Sequence, residues 1–221
     1  MPVSALSPEA LADQLISRAR RLATAAMAAG HAVRVGVDGC VPADGTALAD
    51  LVARRLTADG VATARVRQAD FQLPRAQRLE HGARDSDVLW DGWYDDGALR
   101  REVLDPLGPG AASTRHPMQW LPTLRDPATD RSTREAPRDC PPGAVLVVDG
   151  RFLLRWELAD GFDMVAHLQT SAAAQARRLA DDDERARAVP SWQRYLDGTD
   201  PASRADLVVR FDHPDRPALL G

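Results

Sequence analysis

Residues 33–56, VRVGVDGCVPADGTALADLVARRL, decide how this chain is built. Val33, Val35 and Val37 read as a buried strand, Gly36 and Gly39 punctuate its end, and Leu48, Leu51, Val52 and Leu56 recur at helical spacing. Strand, tight loop and helix in that order are the frame of a phosphate-binding loop. Such a loop reads G-x-x-x-x-G-K-[ST]. Its glycines let backbone N–H groups turn onto phosphate oxygens, its lysine reaches the outer phosphates, and its hydroxyl holds Mg2+. Here the register gives Gly39, Cys40, Val41, Pro42, Ala43, Asp44, Gly45 and Thr46. The first glycine and the final hydroxyl are present, whereas Asp44 stands where the second glycine belongs and Gly45 where the lysine belongs.

These departures act in one direction. A missing ammonium removes a charged hydrogen bond of about 1.5–3 kcal/mol, and Pro42 offers no N–H. A carboxylate about 4 Å from a phosphate oxygen, at an effective dielectric near 20, is repelled by roughly 4 kcal/mol per unit charge. ATP binding in this loop is expected to be weakened by several powers of ten, at about 1.4 kcal/mol each.

The 221 residues, 44% hydrophobic with a net charge of −4, suffice for one sizeable core with a small lid. Acidity argues against a nucleic-acid or anionic-membrane partner. No apolar run approaches the roughly 18 residues of a spanning helix, and the N-terminal residues lack the order of a signal peptide, so a cytoplasmic location is expected. All 28 basic residues are arginine, so no lysine elsewhere replaces the one missing from the loop. Cys40 and Cys140 are too few for a disulfide framework or a cysteine zinc site, and two free thiols are expected.

Along the chain, Ser7-Pro8-Glu9 opens a first helix with apolar face Leu11, Leu15, Ile16, Leu22 and Ala26, ended by Gly30. Residues 61–66 form a second strand with Asp70 just beyond it, in the place where open parallel sheets gather ligands. Asp70 is a candidate base or magnesium-shell carboxylate, or else a turn residue. The polar, turn-rich residues 74–126 carry Arg75 early and then Trp90-Asp91-Gly92-Trp93-Tyr94, which reads either as a pocket wall or as an aromatic mini-core. Residues 144–148 are an unbroken apolar strand ending in Asp149-Gly150. Residues 162–168 and 205–211 add two strands. Between them Arg177, Arg178, Arg185 and Arg187 read as a cationic lid or as a solvated face with i,i+4 pairs such as Asp181 to Arg185.

Together these segments resemble the uridine-kinase-like branch of the P-loop kinases, in the compact actinobacterial form. The resemblance spans about residues 33–219. It rests on VGVDG, ADFQLPRAQRLEHG, LRREVLDPLGPG, DPATDR, VLVVDGRFLLR and RADLVVRFDHPDRPAL in that order. It implies an α/β P-loop kinase fold in one domain: a mainly parallel five-stranded sheet flanked by helices, with a core over 31–70 and 144–221 and an acceptor and lid-like insertion over about 72–140. It implies an ATP- and Mg2+-dependent transfer of phosphate to a nucleoside or similar small hydroxyl substrate. By position, Gly39, Gly45, Thr46, Arg177 and Arg178 would hold nucleotide, and Thr46 and Asp149 the metal. Asp149 and Asp70 would serve catalysis, with Asp91, Tyr94 and Arg75 at the acceptor. The family's base falls on Ala69 here, one residue before Asp70. Three readings follow: a transferase in which Arg151 or a lid arginine supplies the missing charge, a non-catalytic pseudokinase that senses a small ligand, and a partner-binding subunit.

Overall fold

A computed structural model describes residues 3–220. Its sheet has seven strands, two more than the family resemblance implies. Five of them are parallel, running in from one edge in the order β3 (Thr63–Arg67), β6 (Val145–Gly150), β2 (Val33–Gly39), β7 (Met164–Gln169), β8 (Leu207–Arg210). Beyond β8 the sheet continues antiparallel through β9 (Ala218–Leu220) to β1 (Val3–Ala5). Three-residue strands such as VSA and ALL carry too little alternation to be read before folding. A separate hairpin pairs β4 (Gln119–Trp120) with β5 (Arg138–Asp139).

Helix α1 (Pro8–Ala29) begins as its sequence dictates: Ser7 Oγ accepts from Ala10 N at 3.2 Å, Pro8 takes the first helical position, and Gly30 closes the helix at φ +80°. Leu11, Leu15 and Ile16 are buried, while Leu22 is 39% exposed and lies off the apolar face. With α2 (Pro42–Ala58), α1 covers one face of the sheet. Leu48, Val52 and Leu56 pack there on Val35, Val37 and Val147. Truncating one such leucine costs about 2–5 kcal/mol.

The other face is covered by the connection between β3 and β6. A 3-10 turn, Gln68–Phe71, is followed by α3 (Arg75–Arg78), α4 (Ser86–Asp91), α5 (Asp96–Leu99), a π-turn over Arg100–Leu104 and α6 (Asp105–Leu107). Leu99, Val103, Leu104 and Leu107 are fully buried against Leu146 and Val148. After β7 come α7 (Ala172–Arg178), α8 (Asp182–Thr199) and α9 (Pro201–Arg204). Helix α8 closes a third, aromatic cluster over the C-terminal edge of the sheet, in which Trp192 and Tyr195 meet Phe152 and Leu154. Both cysteines are free and buried, and burial pushes the Cys40 thiol up to about 12 and Cys140 to about 11, which leaves them inert. Among the described residues no helix is long and apolar enough to cross a membrane.

Candidate functional site

Parallel register brings the candidate residues to one edge. Val37 lies opposite Asp149, and Asp38 opposite both Gly150 and His167. Beyond that edge the expected phosphate loop is a helix. After Gly39 only Cys40 and Val41 intervene before α2 starts at Pro42, and Asp44 N donates to Val41 O at 3.1 Å. The reason lies in the sequence. Proline is pre-set for the first helical turn, an acid there meets the positive end of the helix dipole, and the glycine that would let the chain turn at 44 is missing.

Asp44 is 9% exposed and forms an ion pair with Arg178, whose Nη1 also donates to Phe211 O at 2.7 Å. The Asp44 carboxylate therefore holds Arg178, the arginine that the family resemblance would place at the nucleotide. Gly45 faces inward: a Cβ there would lie 3.5 Å from Asp149 Cβ and 3.7 Å from Val37 O. Thr46 Oγ1 donates to Asp149 Oδ2 at 2.7 Å. The other oxygen of Asp149 lies 2.5 Å from Arg65 Nη2, a charge contact and not an aligned hydrogen bond, and Arg65 Nε also donates to Asp50 at 2.9 Å. Burial pushes the Asp149 carboxyl up, against the opposing pull of Arg65 and Thr46.

Arg151, 3% exposed, is equally committed. Its Nε donates to Cys40 O at 2.8 Å and its Nη2 to Glu184 Oε1 at 2.6 Å, so a carboxylate of α8 stands beside the guanidinium that bonds Cys40. Arg177 is exposed. Arg185 bonds Leu179 O and Asp182, while Arg187 bonds Ala83 O and stacks 4.5 Å over Trp93. Asp181 caps α8 through Glu184 N, so the expected Asp181 to Arg185 side-chain pair gives way to a pair between Asp182 and Arg185. The set of groups is a poor fit for MgATP. Thr46 and Asp149 suit a magnesium shell, but Arg65, Arg151 and Arg178, the guanidiniums placed around them, are already paired with carboxylates.

Asp70 is 8% exposed and is gripped by Arg67 in a two-pronged pair, at 2.6 and 3.0 Å. Gln68, two residues earlier, turns inward instead. Its Nε2 donates to Asp96 Oδ1 at 2.9 Å and its Oε1 accepts from Arg151 N at 2.9 Å. A cavity of about 290 Å³ opens there, walled by Leu73, Trp90, Tyr94 and Phe152, with Asp96, Arg155 and Glu157 at its polar side. Asp91 and Tyr94 line it; Arg75 is exposed and contributes its backbone N–H to Asp130. The aromatic stretch fulfils both of its readings. Trp93 is buried between Arg78 and Arg187, whereas Trp90 is a pocket wall that Arg155 covers at 4.2 Å and Arg194 at 4.6 Å. Phe152 holds φ +63°, a conformation costly for a bulky residue that turns its ring toward Trp90.

Gly150 shows how tightly these parts fit, since a Cβ there would lie 2.6 Å from Gln68 Oε1 and 2.8 Å from Gln68 Cβ. Gly150→Ala is expected to displace Gln68 from both partners and cost about 1–3 kcal/mol. Thermal unfolding reads the loss, and an unchanged Tm would show that Gln68 has room to move.

Sequence reading missed a second constellation. Asp38, fully buried, accepts from Leu153 N at 3.1 Å and from the Tyr195 hydroxyl at 3.0 Å, and meets His167 Nδ1 at 2.8 Å. His167 stacks on Trp192 with the rings 5.7 Å apart. One carboxylate thus joins β2, β7, the segment after β6 and α8. The signal was available, for Asp38 and His167 are polar residues inside otherwise apolar strand runs, and such residues need partners.

The five-strand order and the helices on both faces define a P-loop kinase fold. Solved structures agree. A protein described as a possible uridine kinase from Bacillus stearothermophilus superposes with a TM-score of 0.64 at 20% identity, covering 88% of this chain and 98% of that one. D-glycerate 3-kinase from Cryptococcus neoformans gives 0.55 at 14% identity, over 83% and 88%. The YGR205w protein gives 0.63 at 9% identity, over 98% and 100%. At such identities the likeness establishes the fold. No protein-family model matches the sequence, and no curated protein matches it either.

Proposed function

We propose that this chain is a P-loop kinase-fold protein that has lost phosphoryl transfer from ATP and keeps the cavity between Trp90 and Glu157 for a small hydroxylated molecule. The ion pair of Asp44 with Arg178, set in a helix that has replaced the loop, carries the proposal. Three of the cations that could compensate for the absent lysine have a carboxylate of their own: Arg178 has Asp44, Arg151 has Glu184 and Arg65 has Asp149. A triphosphate would have to break these pairs and unwind a helical turn. The similar solved structures are described as a possible uridine kinase and a D-glycerate 3-kinase, which supports a small hydroxylated ligand. On this reading the protein works away from nucleic acid and membranes, as a cytoplasmic sensor or subunit.

One observation favours a second reading. The Thr46 to Asp149 hydrogen bond is the pair that would order a magnesium shell in a working transferase. In that transferase Gly39, Gly45, Arg177 and Arg178 would face the nucleotide, Asp70 would act as base, and Asp91, Tyr94 and Arg75 would lie toward a nucleoside.

An ADP-release assay with a panel of nucleosides and sugars separates the two. No release above background is expected with MgATP in the millimolar range. Acceptor-dependent release that is abolished in Asp149→Asn would replace the first reading by the second.

A further inference from the structure

We infer that the cavity beside Asp96 binds a small polyhydroxylated amine, of the amino-sugar or amino-alcohol class. The inference rests on the binding reading above and names its ligand.

Four observations carry it. First, at about 290 Å³ the cavity lies at the small end of ligand pockets, which run to about 300–1,000 Å³. That suits a single ring or short chain better than a nucleoside. Second, Leu73, Tyr94 and Phe152 give it an apolar wall on which the carbon face of a ring can lie.

Third, its hydrogen-bonding capacity is one-sided. The one guanidinium in the lining, Arg155, is already spent on Trp90 O, Asp91 and Glu157. What remains is carboxylate: Asp91, Asp95, Asp96 and Glu157 stand against that single cation. Ionised carboxylates only accept, and an ammonium or a hydroxyl-rich ring is what donates. A nucleobase presents acceptors as well as donors, and among the lining side chains only the Tyr94 hydroxyl and the committed Arg155 could donate to them.

Fourth, two acceptor atoms are vacant. Glu157 Oε2 is buried with no hydrogen-bond partner among the described residues. Gln68 engages only Oδ1 of Asp96, leaving Oδ2 without a donor among those residues. Asp95, by contrast, is committed to capping α5 through Ala98 N at 2.8 Å. The ammonium is therefore assigned to Asp96 and Glu157, with Trp90 held at the side by its own two arginines.

Acidity gives a second readout. Burial pushes the Asp96 carboxyl up to about 6, Gln68 and Arg155 pull it down, and Glu157 and Asp95 add to the rise. An ammonium prefers the ionised form, so affinity should climb as pH rises through about 6 and level off above it, while the amine keeps its proton.

Calorimetry near neutral pH with D-glucosamine, D-glucose and uridine tests the inference. D-glucosamine is expected to bind at least about tenfold more tightly than D-glucose or uridine. Asp96→Asn, and separately Glu157→Gln, should each erase most of that preference. Asp96→Asn should also flatten the pH dependence, and either variant suffices should the other unfold. Equal affinity for D-glucose, or tighter binding of uridine, would overturn the amine while leaving a small-ligand module standing. No heat with any of the three would overturn it as well, and the ADP-release assay then decides separately whether the non-catalytic reading survives.

Discussion

Exchanging two neighbouring residues, Asp44→Gly with Gly45→Lys, is expected to raise the affinity for MgATP by at least about a hundredfold over the unaltered chain, as read by calorimetry. Removing the Asp44 carboxylate lifts a repulsion of roughly 4 kcal/mol at about 4 Å and an effective dielectric near 20. It also releases Arg178, which now pairs with it. Adding the ammonium contributes about 1.5–3 kcal/mol. Solvent screening and the unwinding of the first turn of α2 offset part of this, and about 3 kcal/mol remains, two decades at about 1.4 kcal/mol each. The new side chain has room to start, because its Cβ would meet Asp149 and Val37 only at ordinary contact distances of 3.5 and 3.7 Å. A glycine at 44 also restores the freedom to leave the helical path. If the double variant binds MgATP no better than the parent, the defect lies elsewhere than in these two positions.

Asp38→Ala should be the most destabilising single change at the sheet edge. It strips Leu153 N, the Tyr195 hydroxyl and His167 Nδ1 of a common partner in a fully buried place. Leaving several buried polar groups without their shared partner costs about 3–5 kcal/mol. For a chain of this length that is a fall in Tm on the order of 10 °C. Asp70→Ala is the matched control. It too removes a paired aspartate, but the partner Arg67 is 47% exposed, and such pairs contribute at most about 1 kcal/mol. Thermal scans of the two variants should differ widely, and equal shifts would refute the role given to Asp38 as the tie between α8 and the strands.

How much of this was legible before folding depends on how far each feature is set by its neighbours in sequence. The central strand and helix were readable because Val33 to Val37 and Leu48 to Leu56 carry their own periods. Asp149 and Thr46 meet as expected, since the length of the connection and the parallel register leave little choice. The winding of the loop was written in Pro42 and Asp44 but hidden by the template spacing of Gly39 and Thr46. The fates of Arg178, Arg151 and Arg187 were not readable at all, because their partners Asp44, Glu184 and Trp93 come from elements whose docking is tertiary. The same holds for Asp96. It follows Asp91 and Asp95 in an acidic run, and only the fold decides which of the three Gln68 reaches.

The central claim is that the positions a triphosphate would need are already filled by the chain's own carboxylates, paired to its own arginines. A crystal structure of the wild-type protein grown with millimolar MgATP tests it most directly. The account predicts α2 still beginning at Pro42 with Asp44 on Arg178 and Glu184 on Arg151. A nucleotide seated between Gly39 and Thr46, with Asp44 turned away and a guanidinium on its phosphates, would contradict it.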